Sequence, residues 1–293
     1  MSVSVIRPKL EVYEGRVVAV SSISHMGESS GTEQLFNRKN ITYKGKNVRV
    51  PCINANSIRG ILRRKARDVF LEIIEKRFDD YGAYVQYFLN TGGQQVKSKV
   101  AKDKGAQGDI VDYKYEQNVR RIIPYFSLFG GVAEQHFNSG RFSVSDLIPY
   151  ACQTQFMTGV ESNLNVNSVI TEQRNTTMDD SHVEGEKGFG EGDDKQKRQM
   201  RYGREEMKAG TLMRYKFKLY PDATDMDKAC FHSTIRYFLV DPIVGGNQRI
   251  GCGELNFLDL KVDDELADKY EAYVLGVKDK AIAYLDDLDR RWG

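Results

Sequence analysis

The sequence predicts an α+β fold whose core elements run in the order βαββαβ. Three observations predict it. Four segments, residues 10–23, 140–149, 211–220 and 254–262, are rich in β-branched and aromatic residues or alternate polar with apolar ones. Two segments, 57–78 and 225–239, repeat apolar residues at helical spacing. The stretches between these six are long, polar and glycine-bearing.

In chain order, LEVYEGRVVAVSSI (10–23) reads as the first strand. Residues 24–50 read as a long loop with a short hairpin around ITYKG. The segment that follows carries Ile58, Ile61, Leu62, Ala66, Val69, Phe70, Ile73 and Ile74 on one face, with Asn56 or Ser57 as the expected N-cap. Within residues 79–138, the polar stretch TGGQQVKSKVAKDKGAQGD reads as a mobile loop and IIPYFSLFGG as an apolar segment packed on the core. GRFSVSDLIP alternates as a second strand. Residues 158–210 hold few large apolar side chains after Ile170 and read as a projecting excursion. TLMRYKFKLY is the third strand, DMDKACFHSTIRYFL the second helix, VGGNQRIGCG a glycine-rich turn, and ELNFLDLKV the fourth strand. A terminal helix is expected over 264–291, with Leu266, Tyr270, Tyr273, Val274 and Val277 on one side. The order is that of the ferredoxin-like, split βαβ fold. No Pro/Gly/Ser linker divides the chain, so a single domain over 1–293 with insertions at about 79–138 and 158–210 is expected.

The chain has 293 residues, 40% of them hydrophobic, which suffices for a core. No apolar run approaches the roughly 18 residues of a membrane span. The N-terminal MSVSVIRPKL lacks the apolar stretch of a secretory signal. Cys52, Cys152, Cys230 and Cys252 form no CxxC pair, and His25, His136, His182 and His232 form no HExxH pair. Reduced thiols, a cytoplasmic location and no metal or other cofactor are therefore expected. The net charge of +2 hides an asymmetry. Residues 1–67 hold 13 basic and 4 acidic side chains, or +9, and the remainder sums to −7. Such polarity suits a polyanion on one face. The acidic end, 259–293, reads either as a solvated helix face or as a surface meeting the basic face of a neighbour.

Four segments carry candidate chemistry. At the first helix, Arg59, Arg63 and Arg67 recur at i, i+4 and i+8, with Arg64 and Lys65 between them and no acid over 57–67. Beside Asn56, Ser57 and the free N–H groups of a helix start, this stripe suits phosphates, or else is the solvated basic face of a surface helix. Gly245, Gly246, Gln248 and Arg249 precede a strand rather than a helix. They match neither a P-loop nor a dinucleotide fingerprint, and fit either backbone-phosphate contact or a tight turn. Ser24 and His25 follow the first strand without a GxSxG elbow or a third member of a triad, so hydrogen bonding to RNA or to backbone is favoured over nucleophilic catalysis. In the 158–210 excursion, Met200 and Tyr202 interleave with Lys195, Lys197, Arg198, Arg201 and Arg204. This fits base stacking or an ordinary surface loop.

Taken together, the element order, VPCINANSIRGILRRKA, VGGNQRIGCGELNF, ISHMGE and REEMKAGTLMRYKFKL resemble the RAMP (repeat-associated mysterious protein) superfamily of CRISPR systems. The resemblance is to the large backbone subunit of multisubunit effector complexes, most of all its type IV form. It implies a ferredoxin-like palm, a thumb at 158–210 and a finger-like part at 79–138. It also implies a filament of copies along a CRISPR guide RNA, with companion effector subunits and a DNA or RNA target paired to the guide. RNA-facing motifs then include Ser24, His25, Arg38, Asn56, Ser57, Arg59, Arg63, Arg64, Arg67, Gly245, Gly246, Gln248 and Arg249, with thumb contacts from Met200, Arg201 and Tyr202. Type III relatives cut target RNA with an Asp in the loop after the first strand. Residues 24–45 hold only Glu28 and Glu33 as acids, so no catalytic residue is expected. Two other readings stand beside this one: a RAMP ribonuclease using His25 as acid or base, and an unrelated RNA-binding protein.

Overall fold

The computed structural model describes residues 10–31, 33–91, 113–133, 136–177 and 200–292. Most of the predicted loop at 91–109, and Lys195, Lys197 and Arg198, lie outside them. The strands are β1 (Glu11–Ala19), β2 (Met26–Ser30), β3 (Glu33–Phe36), β4 (Arg38–Tyr43), β5 (Lys46–Pro51), β6 (Gly131–Ala133), β7 (His136–Asn138), β8 (Phe142–Val144), β9 (Ile148–Pro149), β10 (Ile170–Thr177), β11 (Met200–Met207), β12 (Leu212–Leu219) and β13 (Leu255–Phe257). The helices of six or more residues are α1 (Ala55–Ile73), α2 (Ala83–Thr91), α3 (Tyr113–Ile122), α4 (Pro124–Phe129), α5 (Asp225–Val240), α6 (Asp264–Gly276) and α7 (Lys278–Trp292).

The central sheet has the order β13-β1-β12-β8, with β9 also on β12, and every pairing is antiparallel. With α1 and α5 as its crossovers, this is the ferredoxin-like arrangement that the element order predicts. The alternation of β1 and β12 assigns their faces. Val17, Ala19, Met213, Tyr215, Phe217 and Leu219 are buried, in one core with Ile58, Leu62 and Phe70 of α1 and Phe231, Ile235 and Phe238 of α5. The opposite face keeps Glu14 in ion pairs with Arg214 and Lys216. The IIPYFSLFGG segment packs into the same core through Ile122, Ile123, Tyr125, Phe126, Leu128 and Phe129. No helix among the described residues is long and apolar enough to cross a membrane.

Residues 24–50 depart most from expectation. The hairpin around ITYKG is β4–β5, turning at Lys44 and Gly45 with positive φ. The rest of the expected loop is also strand. β2 and β3 join β10 and β11 in a second sheet, ordered β10-β11-β3-β2, in which β11 and β3 run parallel. The 158–210 excursion is thus the outer half of a β-arm whose inner half comes from the loop after β1. β2 carries no apolar alternation; it pairs with β3, and it is β3 that joins the long-range partner β11. The arm is latched to the core where fully buried Ile23 bridges fully buried Met207, with reciprocal backbone hydrogen bonds of 2.9 Å.

Four boundaries also move. α1 is capped by Asn54, whose side chain accepts from the Asn56 N–H, rather than by Asn56 or Ser57. The strand at 140–149 breaks between β8 and β9. The expected strand at 254–262 ends at Phe257, and the terminal helix divides into α6 and α7 at Gly276–Val277.

The latch gives a first prediction. Met207→Ala should cost about 3 kcal/mol by emptying a core site. It should accelerate amide exchange in β10–β11 more than in β1–β12, as read by hydrogen-exchange mass spectrometry.

Candidate nucleic-acid interface

Three segments distant in sequence meet at one end of the central sheet. The chain leaving β1 carries Ser24, whose carbonyl accepts the Gly246 N–H at 2.7 Å and whose hydroxyl accepts from Asn247 Nδ2 at 2.9 Å. The next residue, His25, accepts the Asn54 N–H on Nε2 at 3.1 Å. The loop after β1, the start of α1 and the glycine-rich loop before β13 therefore form one continuous surface. Gly245 makes the approach possible: its φ is +81°, and a Cβ there would collide with the Ser24 carbonyl.

The helix start is not open to an external phosphate, contrary to expectation. The Ala55 N–H is held by Asp146 Oδ1 at 2.8 Å, the Asn56 N–H by Asn54 Oδ1 at 2.9 Å, and the Asn54 N–H by His25. Asp146 sits in the break between β8 and β9 and also pairs with Lys39 at 2.6 Å. The anion that a helix N-terminus favours is the chain's own carboxylate. Asp146, Asn54 and Asn37, which donates to the Cys52 carbonyl, are not among the residues that the sequence singles out. An Asp at the centre of an alternating strand is the one local signal that pointed to Asp146.

The arginine stripe is likewise turned inward. Arg63 is 6% exposed and donates 2.7 Å hydrogen bonds to the carbonyls of Phe129 and Gly130, and Arg59 donates to Phe129 O at 2.5 Å. Both guanidiniums lie against the Phe129 ring. Together they cap the C-terminal end of α4, where helix carbonyls lack intrahelical donors. Burial, and then the neighbouring Arg59, push Arg63 down to about 10. Arg67 is engaged by Asp68 and Asn90 and covers the Phe78 ring. Arg38 makes a bidentate pair with Glu205, at 2.7 and 2.8 Å. Burial raises the Glu205 carboxyl, but hydrogen bonds from Arg38 and the Phe36 N–H outweigh it and hold the group below its usual range.

Other predicted residues remain available. Arg64 is exposed with no ion-pair partner among the described residues, and its Nη1 lies 3.5 Å from where a Gly60 Cβ would sit, so the guanidinium reaches back toward the helix start. Gly246, Asn56, Gln248 and Arg249 are exposed, Ser57 is half-buried, and Gln248 donates to the Gly245 carbonyl. On the arm, Tyr202 is exposed and lies opposite Asn175. Met200 and Arg201 continue β11, but their side chains lie outside the described residues. A shallow cavity of about 450 Å³ crosses the arm beside Gln34, Leu35, Ile170, Glu172, Gly203 and Arg204.

His25 carries its proton on Nδ1 in this arrangement, because Nε2 accepts. Burial pushes its pKa below 6.5, against the pull of Asp146; burial does the same for His232, against Asp263 and Glu11. Among the described residues no group of three His, Cys, Asp or Glu side chains is placed to hold a metal ion.

Two predictions follow from these geometries. Arg63→Ala should lower stability by about 2 kcal/mol, since it takes the guanidinium donor from the Gly130 carbonyl while Arg59 still holds that of Phe129, whereas Arg64→Ala should change it by less than about 0.5 kcal/mol; urea denaturation measures both. Both imidazoles are neutral in the fold and titrate lower there than in the unfolded chain. Their stabilising contribution is therefore complete above pH 6.5 and is lost as pH falls through the folded values. The urea midpoint should drop on acidification below pH 6.5, and less steeply in His25→Asn.

No protein-family model and no curated protein sequence matches the chain. Among solved structures, it is similar to a chain of a "Type IV-B CRISPR Complex", with a TM-score of 0.53 at 19% identity over 86% of this chain and 93% of that one. That likeness is one of fold, and it extends over nearly the whole of both chains.

Proposed function

We propose that this protein is a non-catalytic, guide-RNA-binding backbone subunit of a CRISPR effector complex. The observation that carries the reading is the junction of Ser24, His25, the α1 start and the glycine-rich loop, together with the guanidiniums of Arg64 and Arg249, which have no ion-pair partner among the described residues. Its support is twofold. Three of the RAMP-like segments, around Ser24–His25, Asn54–Asn56 and Gly245–Asn247, meet at that junction, and the fold is similar to that of a chain of a type IV-B complex.

Affinity in this reading comes from phosphates and is independent of sequence. Asn56 and Gln248 add neutral hydrogen bonds, and Tyr202 on the β-arm offers an aromatic face to a base. Target choice belongs to guide base pairing, with DNA or RNA as the paired strand. Copies of the chain would repeat along the guide beside companion subunits. Arg59, Arg63, Arg67 and Arg38 act through the fold, because their guanidiniums are spent on carbonyls, Asp68, Asn90 and Glu205.

The ribonuclease reading is disfavoured by the use of His25 Nε2 as an acceptor for the Asn54 N–H, which leaves no free imidazole lone pair to take a substrate proton.

Arg64→Ala with Arg249→Ala should weaken binding of single-stranded RNA. It should also flatten the slope of log affinity against log salt by about 0.7 per arginine, as measured by fluorescence anisotropy across a salt series. Unchanged affinity and slope would refute the interface. Incubation of the assembled complex with guide-matched RNA and Mg²⁺ should leave the RNA intact; regularly spaced cuts would overturn the non-catalytic assignment.

A further inference from the structure

Gly60 lies in the second turn of α1, a helix of 19 residues, where only proline is a poorer helix former. The fold gives no reason for a glycine there. Its φ is not positive. Outside the helix backbone, a Cβ at position 60 would meet only Arg64 Nη1, at an ordinary contact distance of 3.5 Å. Gly245 is the contrast, with a positive φ and a Cβ position 2.3 Å from the Ser24 carbonyl oxygen. An alanine at position 60 therefore fits, and it would strengthen the helix.

What is particular to position 60 is its place on the surface. At about 100° per residue, Asn56, Gly60 and Arg64 fall on one stripe of α1. Asn56 and Arg64 are exposed, and Gly60 is half-buried. The stripe starts at the junction, because the Asn56 N–H is held by Asn54, whose own N–H is held by His25. Long side chains on a helix lean toward its N-terminus. The Arg64 guanidinium accordingly lies back over Gly60. Bare helix backbone is thus framed by a carboxamide on one side and a guanidinium on the other, and no acidic side chain occurs over 57–67.

We infer that Gly60 is a contact position for RNA, where a sugar–phosphate backbone lies against the bare helix with one phosphate on the Arg64 guanidinium. A missing side chain lets a ligand backbone approach closely, and a guanidinium fork suits a phosphate at that distance. The inference rests on the RNA-binding reading and adds to it a residue that the fold itself does not require. An alanine intrudes on the strand by one carbon. A leucine covers the helix backbone and stands between Arg64 and the phosphate.

The test compares Gly60→Ala and Gly60→Leu with the unmodified chain, by urea denaturation and by fluorescence anisotropy on single-stranded RNA across a salt series. Both residues are better helix formers than glycine, so the urea midpoint should rise or hold. RNA binding should nevertheless weaken, by at least about threefold for alanine and about tenfold for leucine, as a charge-assisted contact is lost. The leucine variant should also flatten the slope of log affinity against log salt by about 0.7, the share of one phosphate. In an Arg64→Ala background, Gly60→Leu should weaken binding by less than about twofold more, because the two changes remove the same contact. A lower urea midpoint in Gly60→Ala, or unchanged RNA affinity in that variant, would overturn the inference. Gly60→Ala fits without a close contact, so it decides the matter even if the leucine variant fails to fold. An unmodified chain that binds no RNA would instead refute the interface itself, which keeps the two failures distinguishable.

Discussion

Eight residue pairs join β1 to β12, and this antiparallel ladder is the constraint on which the other elements depend. It fixes which side chains of both strands enter the core, because strand side chains alternate strictly between faces. The buried set, from Val17 to Leu219, then requires α1 and α5 on one side. The ladder also delivers the chain at Ile23 to Met207, and at Ser24 to Gly246, so the β-arm and the candidate interface both hang from its end. A one-residue slip would place Arg214 and Lys216 in the core and Tyr215 and Phe217 in water.

The interface is built by internal compensation. Wherever the fold creates a site with a strong preference for an ion, it supplies that ion itself. Asp146 meets the N-terminus of α1, Arg59 and Arg63 meet the C-terminus of α4, and Glu205 meets Arg38. Such satisfied groups are costly to remove, since each deletion leaves a buried partner unpaired. The charge asymmetry of the sequence is therefore mostly consumed within the fold. Of the cations in residues 10–67, Lys44, Lys46, Arg64 and Lys65 are the ones without an ion-pair or carbonyl partner among the described residues.

The sequence by itself determined the βαββαβ order, the amphipathic faces of α1 and α5, the alternation of β1 and β12, and the turn between β4 and β5. Each is set by interactions close in sequence or by a periodicity that survives in any context. Part of the arginine result was legible too. At about 100° per residue, Arg59 falls between Ala66 and Phe70 on the buried side of α1, whereas Arg64 falls well away from it. What covers that flank was not legible, because α4 arrives from about 65 residues later in the chain. The tertiary structure alone decided that β2 and β3 are strands of the arm, since this pair enters that sheet only where β3 meets β11. It alone decided where the last strand stops, through one carboxylate reaching across the sheet to Arg16. Elements follow from local spacing, whereas the pairing of charges and strand edges depends on partners far away in sequence, and no local pattern encodes those distances.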